Sequence, residues 1–410
     1  MNVQPDPAAL ATPATRPAVQ GIQGRSLVLF LTLLAALGML ATNMYLASLP
    51  SLGRDLAATP AEIQLTLTVF LASFALGQLV IGPLSDRYGR RPLLFAGLAI
   101  YTLASALCAI AADLESMLAF RALQAVGACT GTVLARAVAR DLFHGDELTR
   151  SLGFITTFVA AAPGFSPLIG GLIESFLGWR FTFALLAVIG LFAAIIVWRA
   201  IPETNHAPAA NFSFAESFAT YFSFLRDRRF LVPVAVTALS MAGLFAFFAS
   251  SPTIFIGEFG VPPALFGLIP CFTVFAVFAG GLSAPRLAKR WPGPIPMAAG
   301  LLFMLAGSFA MLAFALSGQT DIVRVLATLV VFLFGMGIVN PLATVAALRP
   351  FPERAGAASA LIGFFQMAGG ALGIVALGMA PLHILAAFPA VMVVAAILGL
   401  VALAAGHSRA

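Results

Sequence analysis

Charge is scarce in this chain. Only 9% of its 410 residues are Asp, Glu, Lys or Arg, while 61% are hydrophobic. Soluble domains run near a quarter charged and half apolar, so no soluble core hides this much apolar surface, and the composition predicts a polytopic membrane protein. Lysine occurs once, at Lys289 in LAKRW. Without a GxxxxGK[ST] phosphate loop, an ATP-driven pump is excluded for this chain alone. The three cysteines, Cys108, Cys129 and Cys271, each fall inside an apolar run with no CxxC spacing. They read as small hydrophobes, with neither a disulfide nor a metal site, and no cofactor is expected. Histidine is nearly as rare: His144, His206 and His407 lie in loops or the tail, and His383 opens the last apolar run. A membrane-embedded enzyme needs a nucleophile–base pair or a metal cluster at one depth, and those residue types are almost missing there. The net charge of +6 has no basic face interleaved with aromatics, so nucleic acid is not an expected partner.

What the chain has in quantity is apolar runs of about 20 residues, the length that crosses the hydrocarbon. Twelve can be placed, at roughly 28–50, 61–83, 93–112, 117–139, 151–175, 181–199, 231–256, 265–284, 294–316, 322–347, 356–378 and 383–405. An all-α integral membrane protein of twelve transmembrane helices follows. The basic residues orient it. With both termini cytoplasmic, the inner segments hold 18 of the 22 Lys and Arg and the external loops hold Arg54, Arg180 and Arg324. That asymmetry obeys the positive-inside rule. The first 27 residues, proline-rich, read as a disordered cytoplasmic tail. The apolar run after Arg25 is long enough to stay in the bilayer, so it reads as a span rather than a cleaved signal. The polar stretch IPETNHAPAANFS opens a linker at 201–230 that divides the spans into six-helix bundles at 28–200 and 231–405, with 406–410 as a short cytoplasmic tail.

The densest polar cluster is GPLSDRYGRRP, Gly82 to Pro92, with Asp86, Arg87, Arg90 and Arg91 between two apolar runs. It has to be a water-facing cytoplasmic turn, and its glycines allow a tight path. A degenerate copy, GLSAPRLAKR at 281–290, has Pro285 where the first has Asp86, which supports an internal repeat. Inside the fourth run stands Arg121, in AFRALQAVGACTG. A buried guanidinium costs several kcal/mol unless solvated or paired, about 3 upward, so Arg121 is expected to face a cavity. The fifth run carries AAAPGFSPLIGG, with Pro163, Gly164, Pro167, Gly170 and Gly171, residues that bend a helix and let neighbours approach.

Gly82, Leu84, Asp86, Arg87, Gly89, Arg90 and Arg91 match the G-x-L-x-D-R-x-G-R-[RK] loop, and the chain resembles the major facilitator superfamily. Arg121, Gln124 and Gly127 resemble that superfamily's R-x-x-Q-G-x-G motif, with Val126 where Gly is common. The span 5 stretch resembles the antiporter motif of its drug exporters, with Ser166-Pro167 for Gly-Pro. TNMYLASLP, the span 2 opening, Trp179-Arg180 and PET at 202–204 resemble the Bcr/CflA subgroup of drug–proton antiporters, which includes chloramphenicol exporters; the likeness fades in the second half.

The resemblance implies two six-helix bundles around a central cavity, alternating access, export of small amphipathic molecules in exchange for protons, a monomer, and residence in a bacterial cytoplasmic (inner) membrane. It implies that Asp86 braces the cytoplasmic end of span 11, and that one of Arg87, Arg90 or Arg91 reaches Asp141. It also implies a cavity lined by spans 1, 4, 7 and 10, with Tyr45, Phe247 and Asn340, and also Met44, Phe245 and Phe248, as candidate contacts. Gln64, Gln78 and Gln366 are weaker candidates. One departure matters: the subgroup's D-M-Y-L-P acid is Asn43 here, and an amide cannot carry a proton. Two routes stay open. Coupling has moved to Glu174, Glu258 or Glu62, or an uncompensated Arg121 draws an anionic or neutral polar metabolite with weak or absent coupling.

Overall fold

The structure, a computed structural model, describes residues 24–205 and 214–407. The expected tail lies mostly outside those residues, but its last three, 25–27, are helical. Twelve helices are long and apolar enough to cross a membrane: α1 Arg25–Asn43, α2 Pro60–Tyr88, α3 Arg90–Ala109, α4 Leu114–Leu142, α5 Gly145–Leu177, α6 Trp179–Ala200, α7 Arg228–Pro252, α8 Leu268–Arg290, α9 Ile295–Leu316, α10 Ile322–Leu348, α11 Ala355–Met379 and α12 Ile384–His407. Mean hydropathy of their best windows runs from 1.3 to 2.7. Since lipid cannot satisfy peptide groups, each segment closes its own backbone bonds.

The ends are set by local chemistry. At α2, Thr59 and Glu62 form a capping box, with Pro60 at the first helical position. Asp113, Asp227 and Asp321 accept bonds from the first-turn N–H groups of Ser116, Arg229 and Arg324, which starts α4, α7 and α10. Gly89 makes the sharp break between α2 and α3 at φ +95°. The capping role settles one sequence expectation differently. The Glu62 carboxylate is exposed and accepts from the Thr59 amide and hydroxyl at 2.8 and 2.7 Å, which leaves it a cap rather than a membrane-depth acid.

The packing repeats. In the first half α4 lies against α1, α2 and α3, α1 packs on α5, and α3 on α6; in the second half α10 lies against α7, α8 and α9, α7 packs on α11, and α9 on α12. The same pairs recur six helices later, a topology hinted at by the degenerate second copy of the loop. The halves meet along two seams, α2 with α11 and α5 with α8.

The linker is more than a polar tether. Phe214–Leu225 forms a helix, and its Phe224 packs with Phe230 and Phe351. Pro83 inside α2 has no N–H to give to the carbonyl four residues back; that orphan, on Leu79, accepts the Tyr221 hydroxyl at 3.1 Å. Ser251 does the same for Phe248, whose carbonyl Pro252 leaves free.

Candidate functional site

Arg121 sits about two turns into α4 and is wholly buried. It does not face open space. Its guanidinium carbon lies 4.3 Å from the Phe70 ring centroid, 4.4 Å from Tyr45 and 5.8 Å from Phe183, a cage of rings from α2, the end of α1 and α6. Cation–π attraction is strongest where water is excluded. Nη1 donates to the Gln124 side chain at 2.6 Å and to the Ala41 carbonyl at 3.0 Å, and Nε to the Thr66 carbonyl at 3.5 Å. Gln124 passes the network on to Ser105 at 2.8 Å. Among the described residues no carboxylate pairs with the cation, and Nη2 is buried with no partner.

Asn43, at the last turn of α1, is equally enclosed. Its Nδ2 donates to the Met39 carbonyl at 2.8 Å and to Thr42 at 3.1 Å, while Oδ1 is buried and unpartnered. One half of the molecule therefore holds an orphan acceptor on α1 and an orphan donor on α4. Unmade bonds of this kind cost about 1–3 kcal/mol each. Asn340, half-buried in α10, also has an unpartnered Oδ1.

Two expected ligand contacts are packing residues in this structure. Tyr45 is fully buried, with its hydroxyl 3.2 Å from Thr66 and its ring against Phe183 and Arg121. Phe247 turns into the second half, against Phe248, Phe255 and Phe388. Aromatic positions on a helix do not reveal which neighbour they face.

The acids separate clearly. Glu174, near the external end of α5, accepts the Ser51 hydroxyl on Oε1 at 2.5 Å, and its Oε2 is buried without a partner. Glu258 ends a π-helical extension of α7 and lies 3.4 Å from His383, with 39% of its side chain exposed. Among the three candidate acids, only Glu174 has an oxygen that neither water nor a donor reaches.

Span 5 owes its glycines to close approach. A methyl group at Gly170 would run into the Met44 carbonyl, and one at Gly171 into the Pro263 carbonyl. Gly164 faces Val274 of α8. Pro163 and Pro167 lie inside the helix without breaking it. This stretch is thus the contact strip of α5 with α1 on one side and with the second half on the other. Beside it, the external ends of α1, α2 and α7 enclose a crevice of about 420 Å³ lined by Leu49, Arg54, Gln64, Ala249 and Thr253.

At the cytoplasmic face Arg90 is the arginine that reaches Asp141, at 3.3 Å, and it also pairs with Asp86 at 2.5 Å and bonds Ser85. Asp86 is half exposed and makes this pair in place of the expected brace on α11. Arg87 lies over the neighbouring Tyr88 ring. Gly82 is part-buried within α2. Sequence reasoning missed the rest of the junction. Glu203 accepts from the backbone N–H groups of Arg90 and Arg91 at 2.8 and 3.1 Å, seated on the start of α3 beside Gly89. Thr204 donates to Asp141 at 2.9 Å, and Asn205 to the Asp86 carbonyl at 2.9 Å. The signal was PET at 202–204, which carries a resemblance but does not by itself show these contacts.

The comparisons agree with this architecture. The family model described as Major Facilitator Superfamily matches residues 31–374. The chain is 30% identical over 350 residues to Multidrug resistance protein D of Escherichia coli (strain K12), covering 84% of this chain and 86% of that protein. It is 31% identical over 344 residues to the Chloramphenicol resistance protein of Pseudomonas aeruginosa, covering 83% and 80%. Among solved structures, the inward-facing, unoccupied form of a bacterial homologue of the human lysosomal transporter Spinster superposes with a TM-score of 0.70 at 16% identity, over 93% of this chain and 95% of that one. That likeness concerns the fold alone. A multi-pass membrane protein with these repeats, this loop and these relatives is a secondary transporter of small molecules, not an enzyme, and the chain belongs to the Major Facilitator Superfamily.

Proposed function

We propose that this transporter exports small amphipathic compounds, of the kind chloramphenicol represents, across a bacterial cytoplasmic membrane in exchange for protons, acting as a monomer by alternating access. The α5 strip carries the reading: its glycines bring α5 against α1 and, through Pro263 and Val274, against the second half. A helix that bridges both bundles is where occupancy of one can be felt by the other. The names of relatives, multidrug and chloramphenicol resistance, support the substrate class.

With Asn43 unable to titrate, we assign the proton to Glu174. Of the three candidate acids it alone has a carboxylate oxygen that is buried with no hydrogen-bond partner. Its partner Ser51 sits on the short helix that follows α1, so the acid links α5 to that extension, next to the glycine strip. A second reading rests on Arg121. Its unpartnered Nη2 favours one anionic or neutral polar metabolite, exported with weak or absent proton coupling.

Efflux of chloramphenicol and ethidium from cells expressing the chain, with and without a protonophore, separates these. Efflux that collapses with the protonophore and falls at least tenfold in Glu174→Gln supports the leading proposal. Efflux insensitive to the protonophore overturns coupling, and no efflux of either compound favours the metabolite reading.

A further inference from the structure

A groove of about 480 Å³ runs between α3 and α6 on the outer surface of the first half, away from every residue discussed above as a transport site. Its walls include Phe95, Ala99, Ala106, Leu191, Ile195 and Trp198, and the Thr102 hydroxyl that also lines it is spent on the Leu98 carbonyl at 2.8 Å. The small side chains of Ala99 and Ala106 keep the floor low between larger flanks. From Phe95 to Ala106 the helical rise is about 16 Å, roughly half of a hydrocarbon core about 30 Å thick. The groove therefore matches one leaflet. The leaflet is the cytoplasmic one, since Phe95 lies about one and a half turns from the start of α3 and Trp198 about half a turn from the end of α6, both at the basic face.

The mouth is cationic. The Arg199 guanidinium lies 5.7 Å from the Trp198 ring centroid and is exposed. Arg91 reaches across to the Trp198 carbonyl at 2.7 Å and so ties α3 to α6 at that level. The nearby carboxylate of Glu203 is engaged by three backbone N–H groups, those of Arg90, Arg91 and Asn205. We infer that the groove is a built site for an anionic phospholipid of the cytoplasmic leaflet. One acyl chain lies along Ala99 and Ala106, the negative headgroup sits at Arg199 and Arg91, and Trp198 lies at the boundary where indoles concentrate. Two guanidiniums over an apolar slot of one-leaflet length select a lipid with net negative charge over a zwitterionic one. The inference is independent of what is transported.

Because Arg91 is also part of the signature loop, the test uses Arg199→Gln and Ala106→Phe, both on lipid-facing positions. The purified full chain in detergent is given palmitoyl-oleoyl phosphatidylglycerol or the matching phosphatidylcholine, and retained lipid is counted by native mass spectrometry. Phosphatidylglycerol is expected to be held well above phosphatidylcholine. Each surface guanidinium contributes about fivefold in affinity for an anionic headgroup, so Arg199→Gln should weaken retention by about that factor. Ala106→Phe, which fills the floor, should reduce retention of both lipids. Equal retention of the two lipids by the native chain overturns the inference, leaving ordinary annular lipid. So does Arg199→Gln holding phosphatidylglycerol as tightly as the native chain, whether or not Ala106→Phe folds.

Discussion

At Arg121 two demands pull in opposite directions. The ring cage and three hydrogen bonds hold the guanidinium, yet among the described residues no acid pairs with it and Nη2 is left bare. Arg121→Met removes an unpaired buried charge, which relieves several kcal/mol of desolvation, and leaves the Gln124 oxygen and the Ala41 carbonyl without their donor, at about 1–3 kcal/mol each. The two effects offset, so thermal stability should stay within about 1 kcal/mol of the native value while transport is lost. A melting curve on purified protein beside an efflux assay checks both arms, and a collapse in stability would mean that the cage depends on the cation. That a charged residue stood deep in α4 was legible from sequence, because a lone arginine among apolar residues is conspicuous. The cage was not, because Tyr45, Phe70 and Phe183 come from positions 76, 51 and 62 residues away. The same limit explains why Tyr45 and Phe247 looked like cavity residues and pack as core.

Among the elements, α5 shows how a single helix distinguishes its glycines. Gly170 meets the Met44 carbonyl, whereas a methyl group at Gly153 would find nothing within 4 Å. Gly170→Ala has to push α1 away and should destabilise by about 1–3 kcal/mol with loss of efflux. Gly153→Ala, in the same helix, should be neutral or stabilising by up to about 1 kcal/mol, because alanine restricts the unfolded chain and suits a helix interior. Parallel unfolding measurements would show the contrast, and equal effects would contradict the close-approach account. The twelve spans and the sharp break at Gly89 were readable because hydropathy and glycine act locally, whereas several helix ends lie up to seven residues from the expected limits, as at Asn43 against 50. The helix at Phe214–Leu225 was not, since twelve residues with no membrane-length apolar run look like tether until the surface beneath them is known.

On the scale of the molecule, the two halves are joined by helical seams and by the linker, and the linker's docking is a specific bond. Tyr221 lends its hydroxyl to the carbonyl that Pro83 orphans in α2, and burial, with the Asp86 carboxylate as a lesser cause, pushes that phenol up to about 12. Tyr221→Phe removes the donor and leaves the Leu79 carbonyl unsatisfied, at a cost of about 1–3 kcal/mol. Limited proteolysis of the linker should accelerate in the variant while the spans stay protected. An unchanged cleavage rate would mean that the aromatic contacts of Phe224 alone hold the helix down.

Composition determined the span count by itself, and the placement of the basic loops carries the expected orientation and division into halves. These depend on sums over neighbouring residues and on which side of a bilayer a basic loop prefers. The motifs by themselves point to the loop, to Arg121 and to the glycine-rich stretch of α5. Only the tertiary structure decided that Arg90 rather than Arg87 or Arg91 meets Asp141, that Asp86 turns back to Arg90 instead of to α11, and that Glu203 seats on α3. It alone separated Glu174, with an oxygen sealed from water, from Glu62 in its cap and Glu258 beside His383. A side chain's partners and its access to water are set by helices distant in the chain, and no local pattern carries that information.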